Sequence, residues 1–191
     1  YDLRPMHTRV PQFLMRVYEA NKNYFIDGQL TIPESGNGAP DLLDEALWGI
    51  KVWEALQKPD GCVRAGANTY RTPPYALAHM DDLPYIVYKC YPSMSARAAG
   101  LFAQGARLIQ PYNITRSNDL KNKAVLAYNY VKGQSSQPAP FMLYASGELF
   151  RLTGEEKYRT DFRNYYNQWS KQIVGTYVEQ GYDINGGNSF G

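Results

Sequence analysis

Metal-ligating and redox-active side chains are scarce in this sequence: 191 residues contain two cysteines, Cys62 and Cys90, and two histidines, His7 and His79. With one possible disulfide, cysteine usage does not fix the compartment. No Cys-x2-Cys or His-x3-His pair is present, so the four residues lack the spacing of a zinc site. Charge of one sign is also missing. Twenty basic against eighteen acidic residues leave a net +2, spread without long runs, which excludes both the footprint of a nucleic-acid binder and a patch that attracts membranes. No apolar run reaches the roughly 20 residues of a membrane-spanning helix, and nothing reads as a signal peptide. The chain opens at Tyr1 without a Met, which raises the expectation of processing or of a fragment of something longer. No fixed period repeats along it, which argues against a regular solenoid.

Aromatic residues are plentiful, at 14% with 17 tyrosines. Such a composition suits a packed helical core and also a surface that stacks on sugar rings. Apolar residues recur with helical spacing in six segments. Val10, Phe13, Leu14, Val17 and Tyr18 predict a helix over about 8–20 with Pro11 in its first turn, and Leu43, Leu47, Ile50, Trp53 and Leu56 predict a second from Pro40 to about Gln57. A third, capped by Ser93 or Ser95 and ended by Pro111, buries Ala99, Phe102, Ala106 and Ile109. Ser117 caps a fourth, with Leu120, Ala124, Ala127, Tyr128 and Val131 on one face. Met142, Ala145, Leu149 and Leu152 mark a fifth that stops at Gly154, and Tyr158, Phe162, Tyr165, Trp169 and Ile173 point inward from a sixth that begins at Glu155. Between the second and third helices, 58–92 reads as one long loop with no convincing strand. Its Tyr70, Tyr75, His79, Tyr85, Tyr88 and Tyr91 argue against simple disorder.

The segment joining the first two helices is the most specific. It reads Asp27-Gly28-Gln29-Leu30-Thr31-Ile32-Pro33-Glu34-Ser35-Gly36-Asn37-Gly38-Ala39-Pro40-Asp41-Leu42-Leu43-Asp44-Glu45-Ala46-Leu47-Trp48. Gly36 and Gly38 open backbone angles closed to other residues, while Pro33 and Pro40 fix φ. Asp41, Asp44 and Glu45 load the start of a helix, where the unpaired amides and the dipole favour negative charge. Helix-start chemistry is therefore the expected role of this acidic cluster.

This loop and helix resemble glycoside hydrolase family 9, whose members carry Ile-Pro-Glu-Ser-Gly-Asn-Gly-x-Pro-Asp followed by Leu-Leu-Asp-Glu-Ala-x-Trp. The helix ending Leu149-Phe150-Arg151-Leu152-Thr153-Gly154 is similar as well. The resemblance implies an all-α fold, a partial (α/α)6 barrel with about six of the twelve helices in antiparallel hairpins. Residues 1–191 then form one partial catalytic domain, the N-terminal to middle part of the barrel, with no second domain. It also implies an inverting β-glycosidase that hydrolyses β-1,4-linked glucan or cello- or chito-oligosaccharides, in an extracellular or periplasmic setting. The implied partners are the saccharide substrate and the remainder of the catalytic domain, with no nucleic acid and no membrane. Arg4-Pro5-Met6-His7 and Asp60-Gly61-Cys62-Val63 look closer to the bacterial branch that includes exo-acting members. A second reading is a non-catalytic helical module for carbohydrate binding or assembly.

Glycoside hydrolysis needs two carboxyl groups across the scissile oxygen. In the family the base comes from an Asp-Ala-Gly-Asp segment, and residues 1–8 match the stretch just after it; the acid is a Glu that maps beyond Gly191. No catalytic residue is therefore assigned. Substrate binding is expected of Arg4, His7, Tyr70, Arg71 and His79, which lie beside the missing base or in the long loop. Glu148, mid-helix, reads as solvent-facing rather than as an acid catalyst. No cofactor is expected: structural calcium or zinc occurs in the family, but Pro140-Phe141 stands where calcium would be held. Cys62 replaces the second Gly of the family's Asp-Gly-Gly-Val, which favours a small, buried free thiol. Asn113-Ile114-Thr115 is a glycosylation sequon, meaningful in a eukaryotic secretory context.

Overall fold

A computed structural model of the chain describes residues 5–69 and 83–179. A short 3-10 turn, Pro5–Thr8, leads into α1, Arg9–Ala20, and the Gly/Pro loop delivers the chain to α2, Asp41–Ala55. After a two-stranded ribbon come α3, Pro92–Ile109, α4, Ile114–Lys132, α5, Ala139–Thr153, and α6, Glu156–Glu179. Consecutive helices pack as hairpins, α1 on α2, α3 on α4 and α5 on α6. The odd helices also pack on one another, α1 on α3 and α3 on α5, so these three form one parallel layer with their N-terminal ends together. The expected all-α hairpin array is present.

The middle helix is the centre of the core. Small residues make that possible: Ala96, Ala98, Ala99, Gly100, Ala103, Gly105 and Ala106 are all buried, and they let α4 and α5 approach the α3 backbone closely. Phe102, Leu101 and Met94 fill the remaining space against Leu120 and Met142. The α4 stripe of Leu120, Ala124, Ala127, Tyr128 and Val131 is buried as its spacing predicts. On α5, Gly154 takes the left-handed conformation, φ +71°, and its N–H bonds to the Phe150 carbonyl, which ends the helix.

Four local expectations are corrected. Ser93 and Ser95 do not cap α3. Tyr91 does, with no side-chain bond, and the buried Ser95 Oγ instead accepts from the Val63 amide at 2.9 Å. Ser117 does not cap α4: its hydroxyl donates to the Ala106 carbonyl, and the Asn113 side chain caps by accepting from the Arg116 amide. Pro40 precedes α2 as its extended N-cap rather than opening it. The fourth concerns strands. The long loop contains β1, Ala67–Thr69, paired antiparallel with β2, Tyr85–Val87; three residues a side are too few for a period-two pattern to stand out.

One helix is rotated from its predicted face. Pro11, Met15 and Tyr18 are the buried residues of α1, whereas Val10 and Phe13 are 60% and 66% exposed. The helix is apolar on two adjacent sides, and α2 and α3 cover one. On α6, Tyr158 and Tyr165 are buried as expected, but Phe162 is 39% exposed.

Candidate functional site

The acidic loop is built to hold itself. Asp27 accepts from the amides of Gly36 and Gly38 at 2.6 and 2.7 Å, and those donors hold its carboxyl below the usual range. Asp41, fully buried at the start of α2, accepts from the amides of Gly28 and Leu30. Asp44 accepts from the Asn37 side chain at 3.1 Å; burial raises its pKa, and Glu34, Asp41 and Asp27 add to the rise. Asp41 and Asp44 stand in the first turn of α2 as expected, but their bonds go to loop donors and no side chain caps the helix.

Glu148 is not solvent-facing. It is 8% exposed and sits between two arginines, accepting from Arg107 Nη2 at 2.7 Å and from Arg151 Nη1 at 2.9 Å. Both arginines also reach Glu19 on α1, at 2.8 and 2.7 Å, and Gln104 donates to Glu19 at 2.9 Å. Burial pushes the Glu19 carboxyl up, but these donors outweigh it and bring its pKa to about 2. Two glutamates and two arginines thus clasp α1, α3 and α5. The i, i+3 relation of Glu148 to Arg151 was readable; Arg107 and Glu19, far off in sequence, were not.

Cys62 and Cys90 are joined in a disulfide, Cα atoms 5.9 Å apart, so the expected free thiol is corrected. Cys62 is buried as foreseen. The bond lies at the base of the β1–β2 ribbon, next to the Arg64–Cys90 bridge, and brackets the segment that contains Tyr70, Arg71 and His79. Those three residues, and Arg4, lie outside the described residues. Both thiols are consumed, the start of α5 offers Pro140 and Phe141, and no group of three His, Cys, Asp or Glu side chains converges among the described residues. These residues do not fit a zinc or calcium site.

At the shared N-terminal end of the odd helices is a cavity of about 270 Å3. Arg9, Gln12 and Arg16 line it from α1, Arg97 and Leu101 from α3, and Phe141 and Tyr144 from α5. The Arg97 guanidinium lies 3.8 Å from the centre of the Phe141 ring, and Tyr144 donates to Gln104 Oε1 at 2.5 Å. The Arg97 pKa is lowered by burial and then by the neighbouring Arg9. Burial keeps the Tyr144 hydroxyl protonated far above its ordinary range. His7 is exposed and faces the other way, into an apolar hollow of about 500 Å3 beside Val10, Trp48 and Val52. Sequence reasoning missed the cavity arginines and aromatics. Arg97 had a signal, being the sole charged residue between Pro92 and Ala106.

No protein-family model matches the chain. Over 186 residues it is 29% identical to a cellulose 1,4-beta-cellobiosidase of Acetivibrio thermocellus, covering 79% of this chain and 21% of that protein. Endoglucanase D of the same organism is 28% identical over 164 residues, 75% of this chain and 26% of the relative. Among solved structures, a metagenome-derived glycoside hydrolase family 9 endoglucanase superposes with a TM-score of 0.78 at 27% identity, over 90% of this chain and 34% of that one. This chain carries part of the glycoside hydrolase family 9 fold. A family 9 protein of Bacteroides ovatus shows the same fold, TM-score 0.77 at 23% identity. The family 9 resemblance therefore holds over 90% of the chain, while the chain spans 21% and 26% of the two curated relatives.

Proposed function

We infer that this chain is part of an inverting β-glycosidase of family 9, secreted for polysaccharide degradation and acting on β-1,4-linked glucan or cello- or chito-oligosaccharides. The observation that carries this reading is the cavity at the common N-terminal end of α1, α3 and α5, within a fold shared with a family 9 endoglucanase over 90% of the chain. Aromatic faces and fork-shaped donors there suit a pyranose ring, whose two faces stack and whose rim accepts hydrogen bonds. In this reading the general acid and base come from flanking parts of the catalytic domain, as the family pattern implies. Arg4, Tyr70, Arg71 and His79 bind sugar in this reading, whereas His7 lines a different hollow and is not assigned to this cavity.

The test is turnover of cello-oligosaccharides. Residues 1–191 alone should release no product and the full-length enzyme should, with Tyr70→Ala or His79→Ala lowering kcat/KM and leaving Tm nearly unchanged. Sugar binding by the full-length protein without turnover would instead favour the non-catalytic module.

A further inference from the structure

The cavity is more basic than a site for a neutral sugar requires. Arg9, Arg16 and Arg97 converge on it, and no described carboxylate lies within ion-pair distance of any of them, whereas Arg107, Arg116 and Arg151 each have one. The nearest acids are already committed. Glu19 and Glu148 stand behind the Gln104–Tyr144 wall and are held by Arg107 and Arg151, two charges against two. Among the described residues the cavity therefore holds three arginines with no carboxylate partner; Arg9 and Arg16 are exposed, and Arg97 is only partly exposed beside Arg9. Clustered cations in a half-buried hollow repel one another, and an anion relieves that repulsion.

We propose that this cavity is a subsite for a carboxylate-bearing sugar, a uronic acid residue within or at the end of a β-linked oligosaccharide. The proposal rests on the glycosidase reading and narrows its substrate. A planar carboxylate matches the two parallel N–H bonds of a guanidinium. Tyr144 and Leu101 line the same cavity and supply the apolar floor against which the ring of the same residue lies, while Arg97 already covers one face of Phe141. A bare inorganic anion would use the arginines and leave that floor idle. At about 270 Å3 the cavity lies near the low end of ligand pockets, so it takes one sugar residue and leaves the rest of the chain to the open cleft.

Calorimetric binding to the full-length enzyme, at low salt, tests this with methyl β-D-glucuronoside, methyl β-D-glucoside and inorganic phosphate. The glucuronoside should bind at least about tenfold more tightly than either, Arg97→Gln should bring the two glycosides together, and Arg97→Lys should restore part of the preference. Equal binding of the two glycosides by the wild type overturns the proposal. Phosphate binding as tightly as glucuronoside overturns it in favour of a general anion site. A fall in Tm for both Arg97→Gln and Arg9→Gln with the sugar preference unchanged also overturns it, showing that the arginines pair with carboxylates of the protein. Binding does not depend on hydrolysis, so an enzyme that cleaves neutral cello-oligosaccharides yet shows no preference sinks only this inference.

Discussion

Gly100 on α3 lies against the ring of Tyr144 on α5 so closely that a Cβ there would fall 2.2 Å from the tyrosine Cδ1. The helix spacing and the position of a cavity side chain are therefore set by the same contact. The Tyr144 hydroxyl is also tied to Gln104, one turn further along α3, so the ring has little room to yield.

Gly100→Ala should for that reason be destabilising, although alanine favours a helix interior by about 1 kcal/mol over glycine. Overpacking costs about 1 to 3 kcal/mol and outweighs that gain. Gly147→Ala is the contrast: its Cβ would meet Phe162 at 3.2 Å, and that ring is 39% exposed and can move aside. Denaturant unfolding should show a lower midpoint for Gly100→Ala and an unchanged or higher one for Gly147→Ala; the reverse order would mean that the α3–α5 contact is looser than described.

The clasp between Glu19 and the arginines carries a pH signature. The folded pKa of about 2 lies below the ordinary carboxylate range near 4.3. A depressed carboxylate contributes stability that is fully present above its unfolded pKa and is lost as pH falls through the folded one. Between about pH 4.5 and 2 the wild type should therefore lose Tm more steeply than Glu19→Gln. Parallel curves across that window would show that Glu148 alone compensates Arg107.

The disulfide closes a loop with a sequence separation of 28. In the chain-entropy description, a crosslink of that span stabilises by about 3 to 4 kcal/mol. Replacing both cysteines by Ala should lower the unfolding midpoint accordingly and make 64–90 the first segment cut by protease, since the ribbon has only three paired residues a side. An unaltered midpoint with unaltered cleavage would place the stability of the ribbon elsewhere.

What could be read in advance follows from how local each signal is. The buried residues of α4 fall on one stripe, so periodicity located them; α1 is apolar on two sides, and periodicity could not say that Met15 rather than Phe13 would be covered. Gly154 announced its turn because a positive φ favours glycine. The caps of α3 and α4 went astray because Ser95 and Ser117 bond to residues 32 and 11 positions away, and such partners have no local trace. The candidate site was not legible in the same way: its cavity draws Arg9, Arg97 and Phe141 from three helices that only tertiary packing brings together.

The uncovered side of α1 leads to the last expectation. Val10, Phe13 and Trp48 are 60%, 66% and 62% exposed on the first hairpin, and Val10 and Trp48 line a hollow together with Leu14 and Val52. Trp53 lines it too, with its indole N–H buried and no acceptor among the described residues. On the last hairpin Phe162 and Tyr166 are 39% and 52% exposed. A large apolar side chain left in water forgoes about 1.5 to 3 kcal/mol, and several together approach the roughly 5 to 15 kcal/mol that holds a domain folded. In a ring of helices these are the two flanks that neighbours would cover, and this chain covers 34% of the family 9 endoglucanase it superposes on. Residues 1–191 expressed alone should bind a hydrophobic dye, dimerise or aggregate, and Phe13→Ser with Trp48→Gln should reduce the dye signal. A monodisperse monomer that melts cooperatively and binds no dye would show that these flanks need no neighbour.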